Sequence, residues 1–320
     1  MSYYLSIFRE CFFIPKPTLT EENLPDQKGR VFIVTGGYAG VGKELCKILY
    51  QHNGTIYVAG RSDSKARSAI DEISKLHPNS EGKLEFLHLD LADLTTIKKS
   101  AETFLANEQR LDVLTNNAGV MTPPIGSITT QNYELQLGTN VLGPWLFTHF
   151  LTPILQKTAA SNPPGSVRVT WAASLATAFA PSHGVTWDPK TSAPKTFGDK
   201  RTDYAQTKSC NVLLAREFAN RFAKTGVISN AWNPGNLKSE LQRHLAGVET
   251  LVTGLICYEP VFGAYTELFA GWGEAAGREE NAGKYVVPWG RVGALRQDLL
   301  VSGETGRLWE WCEKESRAYM

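Results

Sequence analysis

A strand that runs directly into a glycine-rich turn and out into a helix constrains this chain more than any other feature. Val31-Phe32-Ile33-Val34-Thr35 is apolar and β-branched, Gly36-Gly37-Tyr38-Ala39-Gly40-Val41-Gly42 follows, and Lys43-Glu44-Leu45 opens a run with apolar residues three and four apart. The opening amides of such a helix have no partners within it, and its dipole is positive there, so the turn can hold a pyrophosphate. Gly40 and Gly42 let backbone approach ligand and strand. A bare strand-to-helix turn needs glycine too; the strand before and the amphipathic helix after are what point to a dinucleotide.

The alternation continues along the chain. Strand-like runs at 31–35, 55–59, 84–89, 112–116, 166–171, 227–231 and 285–287 are separated by helical patterns at 42–50, 65–76, 94–107, 132–155 and 204–222. This order predicts an α/β fold: a doubly wound parallel sheet of Rossmann type, with about seven strands in a single domain. Residues 1–25 read as an N-terminal arm and 26–320 as the nucleotide-binding catalytic domain. Two segments break the rhythm. The stretch 178–203, rich in Pro, Thr, Ser and Lys, reads as an insertion, and 237–260, with Leu241, Leu245, Leu251, Leu255 and Ile256, reads as an apolar substrate lid. Excursions beyond the carboxyl ends of strands lie over the ligand crevice of such sheets.

Composition narrows the partner. The 320 residues are 42% hydrophobic and 20% charged, the balance of a folded globular chain rather than a disordered or fibrous one. Thirty-three lysines and arginines against 32 acids leave a net charge of +1, so no strong field draws the protein to nucleic acid or an anionic bilayer. A small, uncharged substrate fits better. Five widely spaced cysteines, Cys11, Cys46, Cys210, Cys257 and Cys312, form no CxxC pair, which predicts a reducing, cytoplasmic setting and no structural metal. The six histidines show no metal-ligand spacing either. The N-terminus has no secretory pattern. Residues 3–14 hold two apolar clusters broken by Arg9-Glu10, far short of the ~20 residues of a spanning helix, which leaves an arm packed on the body or a peripheral membrane contact.

Two further runs carry chemistry. In dinucleotide folds a carboxylate about 20 residues past the glycine turn binds the adenosine ribose. Here that place reads Val58-Ala59-Gly60-Arg61-Ser62, and a guanidinium with a serine hydroxyl suits a 2′-phosphate that a carboxylate would repel, although Asp63 stands next door. NADP(H) is favoured over NAD. Downstream, Tyr204-Ala205-Gln206-Thr207-Lys208 puts a phenol and an ammonium four apart on one helix face, where the cation can lower a phenol pKa from its usual ~10.

At this point the sequence resembles the short-chain dehydrogenases/reductases, in the retinol-dehydrogenase-like branch common among fungal enzymes. Thr35-Gly36-x-x-x-Gly40-x-Gly42 is similar to that family's cofactor turn, Leu89-Asp90-Leu91 to its adenine-side motif, and Asn116-Asn117-Ala118-Gly119 to its fourth-strand motif. Thr139-Asn140-Val141-Leu142-Gly143 resembles the helix bearing the family's asparagine, and Arg168-Val169-Thr170-Trp171-Ala172-Ala173-Ser174 the strand ending in its serine. Tyr204 and Lys208 match the YxxxK pair, and Asn233-Pro234-Gly235-Asn236-Leu237-Lys238-Ser239 the segment that embraces the nicotinamide end. The chain departs from the usual form in having Ala173-Ser174 where two serines stand, so Ser174 depends on the register of 168–171.

The resemblance implies a catalytic set of Asn140, Ser174, Tyr204 and Lys208. It implies cofactor contacts from Thr35, Gly36, Tyr38, Ala39, Gly40, Val41, Gly42, Asp90, Leu91, Asn117, Ala118, Gly119, Tyr204, Lys208, Pro234, Gly235, Asn236 and Leu237, beside Arg61 and Ser62. Tyr204 would protonate a developing alkoxide, Ser174 would bond the same oxygen, Lys208 would hold ribose hydroxyls, and Asn140 would anchor a water leading to Lys208. The expected activity is NADP(H)-dependent interconversion of a carbonyl and an alcohol on a hydrophobic small molecule, as a ketone or aldehyde reductase of specialised metabolism. Redox-neutral chemistry on the same scaffold and a non-catalytic NADP sensor are the alternatives. Family members pair through helices corresponding to 132–155 and 204–222, so a homodimer is expected unless the insertion blocks it. His183 and Trp187, inside the insertion, are further candidates for substrate contact.

Overall fold

The computed structural model describes residues 7, 10, 13–238, 257–301 and 303–320. Leu241, Leu245, Leu251, Leu255 and Ile256 of the expected lid lie outside the described residues, as do most of residues 3–14.

The strands are β1 (Val31–Thr35), β2 (Thr55–Gly60), β3 (Lys83–His88), β4 (Val113–Asn116), β5 (Val167–Ala172), β6 (Val227–Trp232), β7 (Tyr285–Val287) and β8 (Arg291–Gly293). They form one sheet in the order β3-β2-β1-β4-β5-β6-β7-β8, parallel except that β8 turns back antiparallel on β7. The sheet therefore has eight strands among the described residues, not about seven. The extra one is a three-residue run, Arg-Val-Gly, with no alternation to reveal it. It exists because the chain reverses at Gly290, whose φ of +93° is left-handed.

Around the sheet lie α1 (Gly40–Gln51), α2 (Asp63–Leu76), α3 (Leu94–Asn107), α4 (Gly143–Ala159), α5 (Lys200–Phe222), α6 (Pro260–Trp272) and α7 (Glu304–Ser316). Every residue of β1 is buried, and its side chains split between two cores. Val31 and Ile33 face a core built with Leu94, Ile97, Leu146, Phe147, Leu213 and Trp309 from α3, α4, α5 and α7. Phe32 and Val34 face the other, with Leu45, Leu49, Ile73 and Leu268 from α1, α2 and α6. This two-sided burial is why the strands read as continuous apolar runs.

Two helical expectations change in detail. The pattern at 132–155 is not one helix: a short turn at Leu135–Leu137 passes into a π-helical segment, Gly138–Leu142, before α4 begins. Close packing explains the glycines there, since a Cβ on Gly138 would sit 2.3 Å from Thr129 Cγ2 and one on Gly143 would sit 2.4 Å from the Leu91 carbonyl oxygen. Helix α5 is buried on almost every side, which a surface-helix pattern does not foretell. Its cover is the chain's own: Thr305 of α7 donates to Glu217 Oε2 at 2.8 Å, and Trp309 of α7 meets Trp145 of α4 edge to face. The insertion is tied to the same C-terminal region. Arg296 donates to the carbonyls of Ala178, Ala180 and Pro181, and the Trp187 indole donates to Glu304 Oε2 at 2.8 Å.

Candidate active site

The glycine turn is built against the end of β4. Thr35 Oγ1 donates to the Thr115 carbonyl at 3.1 Å and accepts the Ala118 amide at 2.9 Å, while Asn117 Nδ2 donates to the Thr35 carbonyl at 2.7 Å. Asn117 thereby fills the space beneath the turn: a Cβ on Gly42 would lie 2.5 Å from its Nδ2. Gly36 needs glycine twice over, for a φ of +68° and because a Cβ there would lie 3.2 Å from Ala118 Cα. Gly40 is different. Its φ is +52° and nothing lies within 4 Å of where a Cβ would stand, so the turn leaves open space at the start of α1. The helix has no side-chain cap at Ala39 and no acid in its first turn. An open cradle with free amides at a positive helix end fits a dinucleotide pyrophosphate.

At the end of β2 the Tyr38 ring lies against Gly60, where a Cβ would come within 2.3 Å of Cε1. Arg61 follows and is exposed; Ser62 caps α2 by accepting the Lys65 amide at 3.4 Å. Asp63 is engaged by Arg67 at 2.7 Å, which holds its carboxyl below the usual range. On the neighbouring edge Asp90 Oδ1 accepts the Ala92 amide at 2.9 Å, and Leu91 is buried beneath Gly143.

The second half of the site stands at the carboxyl ends of β5 and β6. Strand β5 ends at Ala172, and Ser174, in the following turn, stands near enough to the Tyr204 phenol to favour its ionised form. Burial nevertheless dominates at Tyr204, pushing its pKa up to about 12, with Ser174 opposing. Lys208 is 5% exposed and donates to the Ala172 carbonyl at 2.9 Å. Its ammonium lies 5.6 Å from the Tyr204 ring centroid, and burial lowers its pKa to about 8. The expected lowering of the phenol by the ammonium is not found: burial raises it, and only Ser174 opposes. Asn140 is beside Lys208: a Cβ on Gly119 would be 3.0 Å from Asn140 Oδ1 and 3.5 Å from Lys208 Nζ. Its Oδ1 accepts the Val120 amide at 2.8 Å, and its Nδ2 donates to the Val120 carbonyl and to Thr207 Oγ1 at 2.9 and 3.1 Å.

Pro234, Gly235, Asn236 and Leu237 follow β6. Gly235 has φ +82° and passes so near Trp289 that a Cβ would lie 2.7 Å from its ring, and the Tyr258 amide donates to the Asn236 carbonyl at 2.8 Å. Leu237 and Val41 both press on Gly263 of α6, so that helix joins the segment after β6 to the glycine turn. The insertion's two candidates are tied to the C-terminal region: Trp187 is held by Glu304 and stacked under Arg307, and the His183 amide donates to Asp298 Oδ2 at 2.7 Å. Among the described residues no group of histidine, cysteine or acidic side chains is arranged to hold a metal.

Sequence reasoning missed the residues that brace this set. Thr207 is concealed inside YxxxK, where only tertiary contact gives its hydroxyl a role. Asn211, whose Nδ2 donates to the same Ala172 carbonyl at 2.9 Å, could have been found as the residue one turn past Lys208 on the same face.

Residues 30–167 match the short chain dehydrogenase family. The short-chain dehydrogenase/reductase pkfC of Emericella nidulans is 45% identical over 307 residues, covering 95% of this chain and 98% of its own. The chain belongs to the short-chain dehydrogenases/reductases. A second fungal member of that family, iacJ of Pestalotiopsis fici, is 40% identical over 319 residues, covering 97% of each chain. An NADPH-bound carbonyl reductase from chicken fatty liver superposes with a TM-score of 0.61 at 19% identity, covering 86% of this chain and 97% of its own. That likeness speaks for the fold. Membership of the short-chain dehydrogenases/reductases makes this chain an oxidoreductase-family protein acting on a small molecule with a nicotinamide cofactor.

Proposed function

We propose that this chain is an NADPH-dependent reductase of hydrophobic ketones or aldehydes, in which Tyr204 gives the proton. The convergence of Ser174, Tyr204 and Lys208 beside an open glycine turn carries this reading. Bound NADPH would supply the hydride. Tyr204, held protonated by burial, can donate to the oxygen that gains charge, and Ser174 bonds at the same place. Lys208 uses one bond on Ala172 and keeps N–H donors for ribose hydroxyls. Both N–H donors of the Asn140 amide are spent on Val120 and Thr207, so Asn140 serves here by fixing the wall of the lysine pocket.

Arg61 is the 2′-phosphate donor in this reading, since Asp63 is turned to Arg67. A hydrophobic substrate is supported by the loops past β4 and β5, where Ile125, Ile128 and Phe179 are 74%, 56% and 71% exposed, and by the Tyr258, Phe262 and Trp289 cluster against Gly235. The location we favour is cytoplasmic, consistent with free Cys46, Cys210 and Cys312, and no helix among the described residues is long and apolar enough to cross a membrane. A homodimer through α4 and α5 would have to accommodate α7, which already covers both.

The test is NADPH consumption with a panel of phenanthrenequinone, aromatic aldehydes and long-chain ketones. Tyr204→Phe should lower kcat by about 10²-fold or more while NADPH still binds. NADPH binding without turnover across the panel would leave a sensor, and a redox-neutral product would select an isomerase. Arg61→Ala should raise the Kd of NADPH about tenfold, a loss of ~1.4 kcal/mol, and leave NADH unchanged. Equal weakening of both cofactors would remove the 2′-phosphate assignment.

A further inference from the structure

A lone hydroxyl is only as well placed as the backbone that carries it. Ser174 sits past the end of β5 in extended conformation, and its Oγ accepts the Ala176 amide at 3.2 Å. Three consecutive residues around it are held from the strands beyond. The Ala173 amide donates to the Trp232 carbonyl at 2.8 Å, the Tyr285 hydroxyl donates to the Ser174 carbonyl at 2.9 Å, and the Leu175 amide donates to Asn233 Oδ1 at 3.1 Å. The same Asn233 oxygen accepts the Gly235 amide at 3.0 Å, and the Asn233 amide donates to the Val286 carbonyl at 2.8 Å. Tyr285 is 5% and Asn233 4% exposed, so these bonds are made away from competing water.

We infer that Tyr285 and Asn233 are positioning residues for Ser174, and that Asn233 also couples the serine turn to the segment at Gly235. The inference rests on the reading of Ser174 as the hydroxyl that meets the substrate oxygen. Tyr285 fixes the carbonyl of Ser174 itself, while Asn233 fixes the next amide, so between them they hold both ends of the peptide that follows the serine and sets where its Oγ stands. Misplacement by an ångström is enough to cost up to about 10²-fold in rate. Asn233 has a second duty, because one oxygen serves both the serine turn and Gly235. Loss of Asn233 therefore disturbs the substrate side and the cofactor side together, and loss of the Tyr285 hydroxyl disturbs the substrate side alone.

A double-mutant cycle on turnover of phenanthrenequinone with NADPH tests this, with cofactor binding read separately by tryptophan fluorescence. Tyr285→Phe should lower kcat about tenfold with the Kd of NADPH unchanged, and should have little further effect in a Ser174→Ala background. Asn233→Leu should lower kcat and raise the Kd of NADPH, and Asn233→Asp, which keeps an acceptor oxygen, should restore cofactor binding. Equal losses from Tyr285→Phe with and without Ser174 would overturn the inference, as would crystal structures in which Tyr285→Phe leaves Ser174 Oγ where it stands in the unmodified protein. Both outcomes leave the reductase reading standing. That reading fails separately, and the inference with it, if Tyr204→Phe or Ser174→Ala turns over at the unmodified rate.

Discussion

At Lys208, burial and chemistry pull in opposite directions. The ammonium is almost fully enclosed and its cation is carried by a neutral carbonyl, so desolvation lowers its pKa to about 8. Tyr204, pushed up to about 12, keeps its proton throughout the working range. In the proposed mechanism the free enzyme therefore loses a necessary charge above about pH 8 through the lysine and not through the phenol. The kcat/KM for carbonyl reduction should fall above that pH, and Lys208→Arg should remove the falling limb while lowering the plateau, because a guanidinium does not titrate there. A pH profile of kcat/KM for both proteins checks this; a limb that persists in Lys208→Arg would assign it elsewhere.

Among the elements, α6 links the two halves of the proposed cofactor site. Gly263 is where it does so, since a Cβ there would meet Leu237 Cδ1 at 2.3 Å, Val41 Cγ2 at 2.9 Å and Pro234 Cβ at 3.3 Å. Val41 belongs to the glycine-rich run and Pro234 and Leu237 to the segment after β6, which is the nicotinamide side in the proposed reading. Gly263→Val should therefore push both apart, weakening NADPH by about tenfold or more, with overpacking costing ~1–3 kcal/mol of stability. Titration calorimetry and thermal melting would read the two effects. Unchanged cofactor affinity would show that α6 supports the fold only. Helix α6 was not among the helices expected from sequence, because its run Pro260–Trp272 is apolar nearly throughout and lacks a polar face to set a period.

For the molecule as a whole, the pH dependence of stability is set by charges buried for other reasons. Glu267 of α6 is fully buried, neither carboxyl oxygen has a hydrogen-bond partner, and the adjacent Thr115 hydroxyl donates to the Ile33 carbonyl instead. Burial raises its pKa from 4.5 to about 8. The folded state then holds a proton that the unfolded chain releases above pH 4.5, so this group's contribution falls as pH rises from about 4.5 to 8 and is level beyond. Lys208 acts in the reverse sense. Its depressed pKa costs stability in full below pH 8, and that cost is relieved between pH 8 and 10.5. Glu267→Gln should accordingly flatten the decline in stability between pH 5 and 8. Denaturant melts across that range would show it, and a decline of undiminished slope would place the titration on another group.

The order of elements, the glycine turn and the Tyr204 and Lys208 spacing were legible along the chain because they are local: strand, turn and helix patterns need only neighbours a few residues away, whereas Ser174 came from the family resemblance. Seven strands could be found for that reason, and β8 could not, since its three residues pair only because Gly290 reverses the chain. What Ser174 bonds to, why Tyr204 is harder to ionise beside a lysine, and which side chains brace them were decided by packing. Desolvation and hydrogen-bond supply at a buried atom depend on everything that surrounds it, and Tyr285, Asn233 and Glu267 come to these places from strands and helices far off in sequence.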